Sequence, residues 1–190
     1  MSELIAVTDS ATCPRPLAEQ IERLAKLTEL RPQAVILRAK ALDKAAYRTL
    51  ALQAQQSCEA AGIPLILHSD WQLARELGIS MLHLPLAFLR QISEYERAYF
   101  TWLSTSVHSV GEAQEAQALG ATVLIAGHIY TTQCKAGLAP RGLGFLQSVC
   151  SAVSLPVYAI GGIGFDAAQH AELKANGARG ACVMSAYMRL

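Results

Sequence analysis

The chain has 190 residues, 52% hydrophobic and 16% charged, which suits one compact domain over residues 1–190 and excludes a disordered or solvating polymer. Sixteen Lys and Arg against fifteen Asp and Glu leave a formal net charge of +1. The basic residues form no run, so a nucleic-acid partner, which needs a concentrated basic face, is not expected.

In chain order, residues 4–7 are the first of eight short apolar runs. Leu17, Ile21, Leu24 and Leu27 then share one helical face, with Arg15, Glu19, Glu22, Arg23 and Lys26 left for solvent. Further strands are predicted over 34–37, 64–67, 81–84, 102–105, 122–126, 157–160 and 180–184. Each run is mostly apolar on both faces, as strands are when helices or a closed barrel cover both sides of the sheet. Between them Gly62, Gly78 and Gly177 read as helix stops. Ser109 with Glu112 reads as a capping box, and Gly120 as the stop of the helix it opens. His170 falls on a helix and is assigned to the surface.

Repeated strand–helix units imply parallel strands joined by right-handed crossovers, and eight of them close into a (β/α)8 TIM barrel. A doubly wound open sheet is the competing reading. The chain is shorter than the roughly 250 residues typical of such barrels. It also stops at AYMRL, so the last helix is expected to be short or missing. Apolar surface bared there should be covered by another copy, as a homodimer or higher homo-oligomer.

Five cysteines, Cys13, Cys58, Cys134, Cys150 and Cys182, show neither a C-x-x-C pair nor metal-ligand spacing, which favours free thiols. MSELIAVTDS lacks the segments of a signal peptide, and no stretch reaches the roughly 18 apolar residues of a membrane span. A cytoplasmic protein without a membrane partner is expected.

In a barrel the carboxyl ends of the strands form the active-site mouth. The polar groups there are Thr8 and Asp9, Arg38 and Lys40, His68 and Ser69, His83, Ser106 and His108, His128 with Thr132 and Lys135, Gly161 and Gly162, and Ser185. Gly161 and Gly162 read either as a strand-to-helix turn needing positive φ or as a phosphate cradle. Arg38 and Lys40, two apart on strand two, either pair with barrel carboxylates or receive an anionic ligand. His128 is either a core histidine or a proton carrier, since an imidazole takes and returns protons near neutral pH. His108 carries the same two readings. Asp9 is the only carboxylate among these ends, so neither a metal nor a cofactor is expected.

VTDS, ILRAK, STSVHS, AGHIYTTQCKAGLAPRG, YAIGGI and ACVMSAYM together resemble the thiamine-phosphate synthase superfamily over the whole length, and within it the thiazole tautomerase (TenI-like) branch. Synthases of that superfamily carry Asn-Asp after strand three and Gly-Gln-x-Asp after strand four, whose aspartates hold magnesium. The matching positions here are His68-Ser69 and Pro85-Leu86-Ala87-Phe88. Where synthases have Gly-Pro after strand six, this chain has Gly127-His128. Ser104 and Ala39 also depart from the usual glycine and glutamate of the superfamily.

The resemblance implies isomerisation of a carboxythiazole phosphate in thiamin biosynthesis. It implies His128 as general acid/base and His108 as its partner or a substrate contact. Gly161, Gly162 and Ser185 would hold the phosphate and Arg38 and Lys40 the carboxylate, with Ser106, Thr132 and Lys135 as further substrate contacts. A thiamine-phosphate synthase, or a non-catalytic phosphometabolite-binding regulator, are the alternatives. Cys134, in the polar loop, is taken as incidental.

Overall fold

The computed structural model describes residues 3–135 and 137–190. Eight parallel strands, β1 (Glu3–Val7), β2 (Ala34–Leu37), β3 (Leu65–His68), β4 (Met81–Pro85), β5 (Trp102–Val107), β6 (Val123–Gly127), β7 (Val157–Ile160) and β8 (Gly180–Val183), close in sequence order into a barrel. Closure is made by β1 on β8, from Glu3 opposite Gly180 to Ala6 opposite Val183. The open-sheet reading is thereby excluded.

Alternation along the strands explains the continuous apolar runs. Ile5, Val7, Ala34, Ile36, Ile66, Val123, Ile125, Tyr158 and Cys182 form a cluster built from strand residues alone, which fills the barrel. Their neighbours Leu4, Ala6, Val35 and Leu37 point the other way and pack against helix residues such as Ile21, Leu24 and Ala51. Each strand therefore buries both faces, at roughly 1.5–3 kcal/mol per large aliphatic side chain.

The outer layer begins with α1 (Leu17–Ala25), which buries Leu17, Gln20, Ile21 and Leu24 on one face. It continues through α2 (Lys44–Ala61), α3 (Trp71–Glu76) and two one-turn helices, α4 (Leu86–Leu89) and α5 (Glu94–Arg97). Then follow α6 (Val110–Ala118), α7 (Gly142–Ala152), α8 (Ala167–Ala175) and α9 (Ser185–Arg189). Gly62, Gly78, Gly120 and Gly177 follow helix ends with positive φ, as their positions implied.

Three expectations need correction. Ser109 caps α6 by accepting from the N–H of Glu112, but the Glu112 carboxylate accepts instead from the N–H of His108 at 2.6 Å, so the reciprocal box is not formed. A complete box occurs on α5, between Ser93 and Glu96. His170 is buried, not on the surface: it shares the inner face of α8 with Leu173, and its Nε2 meets the carbonyl of Gly164 at 2.9 Å.

The third correction concerns the chain end. The last helix is short, as expected, but bares no apolar face. Tyr187 and Met188 of α9 are fully buried. The Tyr187 hydroxyl donates to Leu30 O at 2.8 Å, its carbonyl accepts from Gln20 Nε2 at 2.5 Å, and its ring meets Phe165 edge-on at 4.9 Å. Large exposed apolar residues lie elsewhere, at Leu42, Leu52, Phe88, Tyr95, Tyr99 and Leu138. The ground for a covering subunit at α9 falls away. No helix among the described residues is long and apolar enough to cross a membrane.

Candidate functional site

At the carboxyl ends of the strands lies a cavity of about 650 Å³ whose floor is the top of the barrel filling, Val7, Ile36, Ile125 and Cys182. His108, His128, Arg38, Lys40, Ser106, Thr132, Lys135, Gly161, Gly162 and Ser185 all line it. His68, His83, Cys134, Met184 and Arg189 line it too. Arg38 and Lys40 sit in the loop after β2, which ends at Leu37, and not on the strand as the sequence reading had them.

The polar loop after β6 is held in place by backbone bonding. Ile129 and Tyr130 extend the ladder by donating to Ile160 O and Gly161 O at 2.9 and 3.0 Å. The carbonyls of His128 and Ile129 accept from Arg141 and Gly142, which folds the far end of the loop back over the mouth. A single 3-10 turn, Gln133–Lys135, carries Cys134 and Lys135 at its exposed top. The cysteine is a free thiol.

Gly161 and Gly162 have φ of 102° and 70°. A Cβ on Gly161 would lie 2.3 Å from Cβ of His128, and one on Gly162 would lie 2.5 Å from Thr131 O. Close packing against the His128 loop therefore requires both glycines whatever is bound. Among the described residues their N–H groups take no backbone acceptor, which leaves two donors at this rim.

His128 is buried, and the peptide bond before it is cis. Its Nε2 lies 3.4 Å from Leu138 O, a long contact, and its Nδ1 is buried without a hydrogen-bond partner among the described residues. His108, half-buried just after β5, places Nδ1 2.7 Å from Gly127 O. A carbonyl oxygen only accepts, so Nδ1 carries the proton, and in the neutral ring the lone pair is on Nε2.

His83 and His68 are a second imidazole pair with ring centres 5.2 Å apart. Burial pushes His68 down to about 4, helped by the charges of Arg38 and Lys40. Burial likewise pushes His83 down to about 3, so both rings are neutral at physiological pH. His83 Nδ1 and Nε2 each lie 3.0 Å from a hydroxyl, of Ser104 and Ser106. Ser104 donates to Leu82 O at 3.3 Å, so it accepts from His83 Nδ1–H. Nε2 must then accept from Ser106, whose hydroxyl offers only lone pairs to the cavity. Ser106 thus suits a ligand N–H or O–H better than an anionic oxygen.

Four cations line the cavity, Arg38, Lys40, Lys135 and Arg189, and no Asp or Glu is among the lining residues. Arg38 meets Asp9 behind the wall at 2.8 Å, so the ion-pair reading of this arginine is realised. The other three have no charge partner among the described residues. The magnesium that the resemblance associates with synthases needs hard oxygen ligands. Among the described residues no group of three His, Cys, Asp or Glu is placed to hold a metal, and a wall of cations without carboxylates does not fit one.

Arg189 escaped the sequence reading. Its signal was present: it stands four residues after Ser185, which is one helical turn.

The TMP-TENI family, described as thiamine monophosphate synthase, matches residues 4–187. A thiamine-phosphate synthase of Listeria monocytogenes serotype 4b (strain CLIP80459) is 36% identical over 147 residues, covering 75% of this chain and 67% of that protein. One from Desulfitobacterium hafniense (strain Y51) is 33% identical over 158 residues, covering 80% and 73%. The structure of a thiamine phosphate pyrophosphorylase from Pyrococcus furiosus superposes with a TM-score of 0.80 at 22% identity, covering 99% of this chain and 88% of that one, a likeness of fold. A family match over almost the whole chain and relatives above 30% identity agree: the chain belongs to the thiamine monophosphate synthase family, a family of thiamin biosynthesis.

Proposed function

We propose that the cavity isomerises a phosphorylated, carboxylate-bearing thiazole by proton transfer between carbon atoms, as a thiazole tautomerase does. The observation that carries this reading is a cavity lined by both His108 and His128 whose charged lining is entirely cationic.

In the reaction a proton leaves the ring carbon that bears the carboxylate, the ring electrons shift, and a proton is added to the exocyclic carbon. Nothing is oxidised and no group leaves; the gain of ring aromaticity drives the step. His128 serves as general acid/base. His108, with its tautomer set by Gly127 O, turns an unprotonated Nε2 toward the same reaction. Arg38 and Lys40 receive the carboxylate, and Gly161, Gly162 and Ser185 the phosphate. Lys135 and Thr132 contact the ligand from the loop above, and Ser106 accepts from a donor on the ligand or its water.

A second reading, a thiamine-phosphate synthase, is favoured by the names of the relatives at 33–36% identity. Against it stands a lining without a carboxylate for the cation that would neutralise a pyrophosphate leaving group. Two incubations separate them: the unaromatised carboxythiazole phosphate alone, and thiazole phosphate with pyrimidine diphosphate and magnesium. The first should yield the aromatic product, followed by its ultraviolet absorbance, and the second no pyrophosphate. Magnesium-dependent release of pyrophosphate would establish the synthase, and turnover in neither mixture would leave a non-catalytic binder.

A further inference from the structure

We infer that Arg189 is a substrate-binding residue: its guanidinium receives the phosphate of an organic phosphomonoester at the rim formed by Gly161, Gly162 and Ser185. The inference rests on the reading that a phosphorylated ligand fills the cavity, and it adds a cation that the pattern of strand ends did not contain.

Geometry supplies the first support. Ser185 and Arg189 both line the cavity and stand at i and i+4 of α9, so they share one face of that helix. The intervening Tyr187 and Met188 are buried on the other side. The backbone that carries Arg189 is fixed by the Tyr187 bonds to Gln20 and Leu30 and by the contact with Phe165. A planar guanidinium on a fixed helix loses less freedom on meeting an anion than one on a frayed end.

Charge supplies the second. Arg38 also reaches toward β8, with Nη1 4.0 Å from Met184 Sδ, but its charge is already met by Asp9. Lys40 stands on the β2 loop and Lys135 on the β6 loop. Arg189 has no hydrogen-bond or ion-pair partner among the described residues and is contributed by the same helix as Ser185. The glycines are required by packing, so their presence does not by itself signal a phosphate. Two N–H donors without a backbone acceptor among the described residues and an uncompensated guanidinium, all in one cavity lining, supply the groups a dianion needs.

The test measures binding of inorganic phosphate and of the thiazole phosphate to the full chain by calorimetry, with the dephosphorylated thiazole alcohol as control. Arg189→Gln should weaken both phosphate probes about tenfold, the range of one exposed charge-assisted bond. Arg189→Lys should restore part of the loss. The alcohol should bind wild type and Arg189→Gln equally, and the melting temperature should not move, which separates ligand contact from damage to α9. Equal phosphate affinity in wild type and Arg189→Gln overturns the role of Arg189 and leaves the proposed function standing. A wild type that binds neither phosphate probe overturns both.

Discussion

The imidazole of His108 donates through Nδ1 to the carbonyl oxygen of Gly127, the residue immediately before His128, at 2.7 Å. One hydrogen bond thus sets the tautomer of the first histidine and ties its loop to the peptide that positions the second. A glutamine at 108 still has an amide able to donate to Gly127 O but no titratable nitrogen. His108→Gln should lower kcat for tautomerisation about 10²–10⁴-fold if Nε2 takes a proton. An unchanged kcat with a raised KM would make His108 a contact only, with steady-state kinetics as the measurement.

The polarity deduced for the serine–histidine chain is directly observable. Nitrogen-15 correlation spectra of the histidine rings should show His83 as the neutral Nδ1–H form at pH 7, and still at pH 5. Ser104→Ala removes the hydroxyl that fixes this choice and should permit the Nε2–H form. An Nε2–H signal in the wild type would reverse the assignment of Ser106 as an acceptor toward the cavity.

Stability should fall in weak acid. His68 and His83 resist protonation in the fold, down to about 4 and about 3, whereas both titrate near 6.5 in the unfolded chain. As pH drops below about 6.5 the unfolded state takes up protons that the folded state refuses. Their contribution is therefore intact above that pH and drains away toward pH 4. Melting temperature should decline between pH 7 and pH 5, and His68→Asn should flatten the decline. A level profile in the wild type would contradict the assignment.

Gly162→Ala places a methyl group against Thr131 O and Tyr130 at a φ of 70°. It should cost about 1–3 kcal/mol in stability and displace the β6 loop that carries His128. Denaturant midpoints and activity should fall together. Gly164→Ala, where a Cβ meets nothing within 4 Å, is the control expected to do neither.

Much of this was legible in the sequence because a closed parallel barrel buries both faces of every strand. Runs such as Ala34–Leu37 and Val157–Ile160 are then apolar without interruption, and their ends mark the mouth. The histidines of the cavity followed from that one rule. What escaped depends on choices that spacing does not encode. Glu112 had two neighbouring N–H groups within reach and took that of His108. His170 is inside because the β7 loop turns the Gly164 carbonyl toward α8. Arg38 and Lys40 lie beyond the last ladder residue of β2, and an alternation rule cannot say where a ladder stops. Arg189 belongs to a helix too short for a periodic signal, so only its distance from Ser185 could have marked it.

The seam between β1 and β8 has a consequence for how the chain reaches this form. Gln20 meets Tyr187, Tyr187 reaches Leu30, and Glu3 joins Tyr158 and Arg179, so partners more than 150 residues apart stitch one line. During synthesis β1 must wait with an open edge, able to pair with a stranger, until β8 emerges. Protection from misassembly at the ribosome therefore arrives all at once, with α9 acting as its clasp.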